Sequence, residues 1–302
     1  MSQFQRQGLV KKALLTDVNL AEIEQLADIC NRYENLHMRL SFVALRARMG
    51  TEYNDFLYYV DGKLVGYLSL DNWGSEEKEA VVMVHPDHRH KGIFHTLFAA
   101  TREECLDRGI HRLVLVCEQG SASGQACAKA VAGKHTFSEH EMDLESFQER
   151  YVFDENLFFR KAHAKDLEAL VAVQTASFSD PEPFVRAMLK KFLQDPWRHF
   201  YLATFGEGEL SCQEPVGVIR LDEFEQGLIG IYAFGVVPDY RGRGYGRQIL
   251  EETIRTVRAT GDQRQIMLDV ETDNVPAINL YKSCGFQIKT TYDYYMIYVH
   301  PA

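Results

Sequence analysis

The sequence has no long apolar segment, no paired cysteine motif and no excess of basic residues. No apolar run approaches the ~18 residues that a membrane-spanning helix needs, and residues 1–7 are too polar for the core of a secretory signal. The six cysteines are scattered without any C-x-x-C pair, which disfavours a disulfide framework and a zinc site. We therefore expect a cytoplasmic protein with reduced thiols and no membrane association.

Acidic residues outnumber basic ones, with 43 Asp and Glu against 33 Lys and Arg and a net charge of −10. A chain with this balance is poorly suited to neutralise phosphates, so we expect no nucleic-acid partner. One loop is rich in histidine, but its spacing fits no compact metal site and no cysteine joins it, so we expect no metal. These histidines are His85, His88, His90 and His95.

The chain is internally duplicated. At ~150 residues per domain, its 302 residues predict two domains. Short matches recur in the same order at nearly equal offsets, which favours duplication over chance. They pair Lys12-Ala13 with Lys161-Ala162, Val65-Gly66 with Val216-Gly217, and Pro86-Asp87-His88-Arg89 with Pro238-Asp239-Tyr240-Arg241. We place the domains at residues 1–152 and 153–302.

Both halves show the same succession of predicted elements. Each has an apolar segment, a helical stretch, two strands, a further apolar strand, a Pro-Asp-x-Arg turn and an amphipathic helix. A strand, a second helix and terminal strands follow. Strands separated by helices indicate an α/β or α+β fold, with a mixed sheet that includes some parallel pairing.

A glycine-rich loop in the second half carries the clearest chemical signal. An apolar strand ends at Pro238, and Arg241-Gly242-Arg243-Gly244-Tyr245-Gly246 then leads into a helix. Alternate glycines leave backbone N–H groups unobstructed, and a helix N-terminus attracts anions, so this loop suits a pyrophosphate. The spacing is neither G-x-G-x-x-G nor G-K-[ST], which disfavours a dinucleotide fold and a nucleoside triphosphate loop.

Two motifs of the second half resemble those of the GCN5-related N-acetyltransferases. Arg241-x-x-Gly244-x-Gly246 is similar to that family's [QR]-x-x-G-x-[GA] signature for the acetyl-CoA pyrophosphate. Asn274, Ala277, Leu280, Tyr281, Gly285 and Phe286 match its N-x-x-A-x-x-L-Y-x-x-x-G-F element. The resemblance implies two tandem domains of this family with acetyl-CoA as co-substrate. The cofactor-binding positions that it implies are Val236, Val237, Arg241, Gly242, Arg243, Gly244, Tyr245, Gly246, Arg247 and Asn274.

The first half departs from both motifs and is predicted to be a degenerate copy. Its loop runs from Arg89 to Phe94, and Phe94 replaces the last small residue, so we expect an occluded loop. Matching Phe137 to Phe286 sets Ala132 opposite Tyr281, which removes the phenol. The same match sets Thr136 opposite Gly285 and Gln125 opposite Asn274.

The resemblance also assigns chemical roles. The backbone N–H of Val236 would polarise the thioester carbonyl, and Tyr281 would protonate the departing thiolate as general acid. Gly230 stands where several family members carry a glutamate base. The candidate replacements, each of which is also typical of a solvated surface carboxylate, are Asp222, Glu223, Glu225 and Glu271.

The predicted function is N-acetyl transfer from acetyl-CoA to the amine of a small molecule, by direct attack in a ternary complex. One alternative is a non-catalytic acyl-CoA-binding or regulatory protein, which Gly230 and the degenerate first half favour. Another is acetylation of proteins or peptides. The sequence predicts neither the acceptor nor the oligomeric state.

Overall fold

The computed structural model describes residues 6–72, 77–150, 154–206, 213–224, 227–259 and 264–299. The chain forms two compact units. Unit 1 contains the residues up to Glu139 and those from Thr290 onward, and unit 2 contains His140–Lys289. The boundary near residue 152 stays a prediction. No helix among the described residues combines the length and apolarity of a membrane span.

Unit 1 is a sheet covered by helices, as the alternation of apolar and polar residues predicts. Its sheet contains the first five strands and the last strand of the chain, β12 (Phe286–Tyr298), in the order β1-β2-β3-β4-β5-β12. All neighbours are antiparallel except the parallel pair β4 and β5. Its elements are β1 (Gly8–Lys12), α1 (Asp17–Glu34), α2 (Phe42–Arg46), β2 (Asp55–Val60), β3 (Lys63–Asn72), β4 (Glu77–Val84), α3 (Ile93–Asp107), β5 (Arg112–Glu118), α4 (Ala122–Ala130) and β6 (Lys134–Leu144), whose residues from His140 onward belong to unit 2.

Unit 2 repeats this plan with the strand order β6-β11-β10-β9-β8-β7. Here β10 and β11 are the parallel pair, and β9 is antiparallel to both β10 and β8. Its elements are β7 (Leu157–Lys161), α5 (Leu167–Phe178), α6 (Glu182–Phe192), β8 (Arg198–Phe205), β9 (Glu214–Glu223), β10 (Ile229–Val236), α7 (Tyr245–Arg258), β11 (Ile266–Glu271), α8 (Val275–Cys284) and β12 (Phe286–Tyr298), whose residues from Thr290 onward belong to unit 1.

The core of unit 2 lies on both faces of its sheet. Residues of α7 such as Ile249 and Ile254 pack with Ile219 and Ile231 on one face. On the other face, α5 and α6 pack against β8 and β9, and this side includes Leu170. Burial of these aliphatic side chains fixes α5 and α7 on opposite sides of β10, the strand that leads into the glycine-rich loop.

Candidate functional site

The site in unit 2 begins where β10 and β11 separate. Their parallel pairs run from Ile229 and Ile266 to Ile231 and Leu268, and no further pair joins them among the described residues, although both strands continue. The register between β10 and β9 shifts after Tyr232, where Ala233 adopts a left-handed φ of 45°. This bulge bends β10 and opens a gap beside its last residues.

The backbone of Val236 faces this gap. The N–H of the next residue, Val237, donates to the Val216 carbonyl on β9 at 3.0 Å. Successive backbone groups along a strand point to opposite sides, so the N–H and C=O of Val236 point away from β9. Arg241 confirms this direction, since its Nε donates to the Val236 carbonyl at 2.8 Å. The N–H of Val237 is therefore used within the sheet, whereas that of Val236 faces the gap.

The glycine-rich loop turns its backbone through two left-handed positions. Gly242 has φ 75° and Gly244 has φ 90°, and Gly244 is the N-cap of α7. A side chain is disfavoured at both angles, which explains why glycine stands there. The N-terminus of the 14-residue α7 supplies unpaired N–H groups and a partial positive charge at the loop. Loop and helix together form a cradle for an anion.

The remaining residues of the loop divide between the cradle and the core. Arg243 is exposed, with its guanidinium 5.2 Å from the centre of the Tyr240 ring, and it forms no ion pair among the described residues. Tyr245 is buried between Phe205 and Tyr240. A methyl group on Gly246 would have only ordinary contacts, at 3.6 Å or more. Arg243 can thus reach an anion in the cradle, whereas the Tyr245 ring stabilises the core.

Two of the predicted cofactor residues have structural partners instead. Arg247 bonds to Glu251 at 2.7 Å and to Ser283 Oγ at 2.6 Å, which ties α7 to α8. The side-chain oxygen of Asn274 accepts from the N–H of Ala277 at 3.3 Å and so caps α8. In this structure both side chains hold α8 in position rather than face the cradle.

Tyr281 lies on α8 beside the gap. It is 7% exposed, and its ring lies 6.2 Å from Phe234 of β10 and 6.0 Å from Phe286. Burial raises the pKa of Tyr281 to about 12. No hydrogen bond to its hydroxyl is formed by the described part of the chain, so the proton is available to a ligand.

The structure explains why Gly230 carries no side chain. A methyl group there would lie 2.5 Å from the Tyr232 ring and 2.9 Å from the Phe224 ring. Of the candidate bases, Asp222 binds Arg220 at 2.6 Å, and Glu223 binds both His199 and Arg264. Burial raises the pKa of Asp222. The other two candidates are Glu271, exposed at the end of β11, and Glu225, which lies outside the described residues.

Unit 1 retains the backbone of the same loop. His90 and Gly92 have φ 61° and 81°, close to their counterparts Gly242 and Gly244. Arg89 Nε donates to the Val84 carbonyl at 3.2 Å, as Arg241 does to Val236. The pairing of β4 with β5 ends at Ala80 and Leu115, so these strands separate as well.

A cavity of about 630 Å³ opens at this loop of unit 1, and we call it the unit 1 cavity. Phe94 is 9% exposed and forms part of the cavity wall. The sequence predicted that this side chain occludes the loop, but a cavity is present there. The wall also contains an ion pair between Arg89 and Glu34, whose carboxylate accepts from Ser121 Oγ at 3.0 Å.

The structure corrects the alignment of the second motif in unit 1. Ser121 caps α4 as Asn274 caps α8, and Ala132 (φ 53°) follows α4 as Gly285 (φ 105°) follows α8. Ala128, rather than Ala132, then corresponds to Tyr281. The match of Phe137 to Phe286 was wrong because the two residues lie at different distances from the preceding helix. Phe286 directly follows Gly285, whereas Phe137 lies within β6, several residues after Ala132. The phenol is absent in either alignment.

Among the residues that the structure describes, no group of three or more His, Cys, Asp or Glu side chains could hold a metal ion. Sequence reasoning missed the buried polar atoms of α5 that have no hydrogen-bond partner among the described residues, which include Gln174 Oε1 and Ser177 Oγ. In the sequence these side chains appear only as polar residues at helical spacing next to Leu170 and Val173. This pattern does not distinguish a functional site from the solvent-facing side of an amphipathic helix.

Comparisons with known proteins agree with this geometry. The model of the acetyltransferase (GNAT) family matches residues 20–132 and 166–286. A mycothiol acetyltransferase from Actinosynnema mirum is 27% identical over 280 residues, which cover 88% of this chain and 89% of that protein.

Solved structures show the same fold. The GCN5-related N-acetyltransferase from Sphaerobacter thermophilus has a TM-score of 0.79 at 19% identity, covering 97% of this chain and 96% of that one. A tandem GNAT protein from the clavulanic acid biosynthesis pathway has a TM-score of 0.73 at 14% identity, with coverages of 97% and 99%.

Proposed function

The chain belongs to the acetyltransferase (GNAT) family as a tandem member and is an acetyl-CoA-dependent N-acetyltransferase; we propose that unit 2 acetylates the amine of a small molecule. The observation that carries this proposal is the gap between β10 and β11, which the Val236 N–H faces, with the Tyr281 ring close by at 6.2 Å from Phe234 of β10. The residue of unit 1 that corresponds to Tyr281 is Ala128, which has no phenol. We therefore assign the chemistry to unit 2.

The cradle would hold the pyrophosphate of acetyl-CoA. Gly242 and Gly244 leave the loop backbone open to phosphate oxygens, and the N-terminus of α7 adds positive potential. The exposed guanidinium of Arg243 is the side chain of this loop best placed to neutralise a phosphate. Strand separation beyond Ile231 then leaves room for the thioester arm between β10 and β11.

Two groups would act on the thioester. The Val236 N–H is a fixed donor that faces the gap, so it can stabilise the negative charge that develops on the carbonyl oxygen. Once the amine nitrogen has bonded to the carbonyl carbon, the C–S bond would break and the Tyr281 hydroxyl would donate its proton to the sulfur; the proton that the new amide nitrogen loses restores the tyrosine. The raised pKa of Tyr281 keeps the hydroxyl proton in place throughout the neutral range.

No side chain among the described residues is assigned the role of base. The position of the usual glutamate is covered by the rings of Tyr232 and Phe224, and Asp222 is bound by Arg220. Proton loss from the acceptor ammonium to water is sufficient when the amine has a moderate pKa. Because the full-length relatives are named mycothiol acetyltransferases, acceptors related to mycothiol belong first in a substrate panel.

Tyr281→Phe tests the proposal. We expect the kcat for thiol release at pH 7 to fall about 100-fold or more, because a positioned general acid contributes on this scale. The dissociation constant of acetyl-CoA should change less than about twofold. The defect should shrink above pH ~8.5, where a thiol of ordinary pKa leaves as the thiolate without help.

Tyr201→Phe is the matched control. Tyr201 is a partly buried tyrosine of unit 2 that stacks on Phe159, and its loss should leave kcat unchanged. Equal activity of Tyr281→Phe and wild type across the pH range would remove Tyr281 from the mechanism.

A second function, ligand binding without turnover, is favoured for unit 1 by the unit 1 cavity. The cavity lies at a loop with the conformation of the cradle, and Arg89 repeats the contact of Arg241. Ala128 provides no proton donor. We propose that unit 1 binds an acyl-CoA or a related phosphorylated ligand but does not catalyse transfer.

A further inference from the structure

Three side chains near the end of α5 carry polar atoms that no described residue of the chain satisfies. The oxygens Gln174 Oε1, Thr175 Oγ1 and Ser177 Oγ are buried and have no hydrogen-bond partner within the described residues. Gln174 is only 3% exposed. Buried polar groups are almost always hydrogen-bonded, so an unpaired amide at such a depth suits a partner other than a protein group, such as a bound ligand or an ordered water.

Ser177, near the end of α5, lies against the bulged end of β10. A methyl group on Gly235 would come within 2.7 Å of Ser177 Cβ and 3.0 Å of the Phe178 ring. The carbonyl of Ser177 also accepts from Arg241 Nη2 at 3.0 Å. Gln174 is one helical turn before Ser177 and Phe178, on the same side of α5. It therefore lies on the face of the sheet that α5 covers, opposite α7.

The charges on this face of the sheet are already paired. Gly230, Asp222 and Arg198 stand opposite one another on adjacent strands, and Arg220 shares the Asp222 face of β9. Asp222 is bound by Arg220 at 2.6 Å and by Arg198 at 3.4 Å. The Arg220 guanidinium lies 4.9 Å from the centre of the Tyr232 ring. Asp222 is thus not available to attract a polycationic acceptor.

We propose that Gln174 is a specificity-determining residue that binds a neutral hydroxyl or amide group of the acceptor, and that the preferred acceptor is a monoamine carrying such groups rather than a polyamine. The inference rests on the proposed acetyl transfer in unit 2. A glutamine amide both donates and accepts, so it suits hydroxyl and amide partners. A site built for such a bond discriminates strongly against an analogue that lacks it.

The test measures thiol release from acetyl-CoA with three amines. Glucosamine is a hydroxylated monoamine, cyclohexylamine has a ring without hydroxyls, and spermidine is a polycation. For the wild-type protein, we expect kcat/KM for glucosamine to exceed that for each of the others at least about tenfold. Equal use of glucosamine and cyclohexylamine, or a preference for spermidine, would overturn the proposal.

Substitutions of Gln174 test whether this residue causes the preference for glucosamine. Gln174→Met keeps the approximate volume but removes the hydrogen bond, so KM for glucosamine should rise about tenfold while KM for acetyl-CoA stays within about twofold. Gln174→Glu should instead improve the use of spermidine, because it introduces a carboxylate. The control Gln248→Met removes another buried amide of unit 2, whose partner is the N–H of Asp154, and should leave KM for glucosamine unchanged.

The outcomes separate this inference from the proposed function. An unchanged KM for glucosamine in Gln174→Met contradicts the role of Gln174, and an unchanged melting temperature in the same variant shows that folding does not mask it. Thiol release with cyclohexylamine or spermidine alone contradicts the acceptor class but leaves acetyl transfer intact. Release with no amine, despite calorimetric binding of acetyl-CoA, contradicts the proposed function and this inference together.

Discussion

Single residues with unusual backbone angles carry much of the proposed site. Gly244 has φ 90° at the N-cap of α7, and Gly242 has φ 75° two residues earlier. An L-residue loses roughly 1–2 kcal/mol in the left-handed region. The cradle therefore depends on backbone conformation more than on any charged side chain.

Gly244→Val should abolish acetyl-CoA binding to unit 2, because the branched side chain both strains the loop and fills the anion position. Isothermal titration calorimetry measures the number of sites. We expect two sites for the wild-type protein, one in each unit, and one site for the variant. Two unaltered sites in Gly244→Val would refute the cradle, and a single wild-type site that the variant loses would refute binding by unit 1.

At the scale of elements, the backbone at the end of α8 packs closely against the segment that follows β6. Gly285 follows the helix with φ 105°, and a methyl group there would lie 1.7 Å from the Ser146 carbonyl oxygen. The N–H groups of Glu145 and Ser146 point to the Gly285 carbonyl at 3.2 and 3.4 Å. The segment after β6 thus holds the end of the helix that carries Tyr281.

Gly285→Ala should therefore lower the free energy of unfolding by at least about 3 kcal/mol, through both backbone strain and the clash with Ser146. Gly109→Ala is the matched control, because Gly109 ends α3 with φ 68° and a methyl there meets no atom within 4 Å. It should cost about 1 kcal/mol, the strain alone. Urea unfolding compares the two, and equal costs would show that the Ser146 segment moves aside.

At the scale of the whole molecule, the sequence predicted the architecture well because duplication presents each element twice. The two amphipathic helices and the mixed α/β sheet follow from local patterns that packing then preserves. The predicted tandem membership of the family is confirmed by its match to both halves.

The conformation of unit 1 was less accessible from the sequence. Phe94 in place of the last small residue predicted an occluded loop, whereas the backbone is retained, and His90 adopts the left-handed angle of Gly242 although its side chain disfavours it. The size of the unit 1 cavity depends on how Phe94 packs against the wall, which no local pattern encodes. The proposed role of Gln174 likewise depends on the bulge of β10, and no pattern in residues 230–236 predicts that bulge.

The account as a whole assigns catalysis to unit 2 and only binding to unit 1. The most direct test compares one substitution made at the same loop position of each unit, Gly244→Val and Gly92→Val, since both glycines cap a helix with nearly equal φ. The measurement is thiol release from acetyl-CoA in the presence of an accepted amine. We predict that Gly244→Val reduces release to background while Gly92→Val keeps most of it. Loss of activity in Gly92→Val with full activity in Gly244→Val would contradict the assignment.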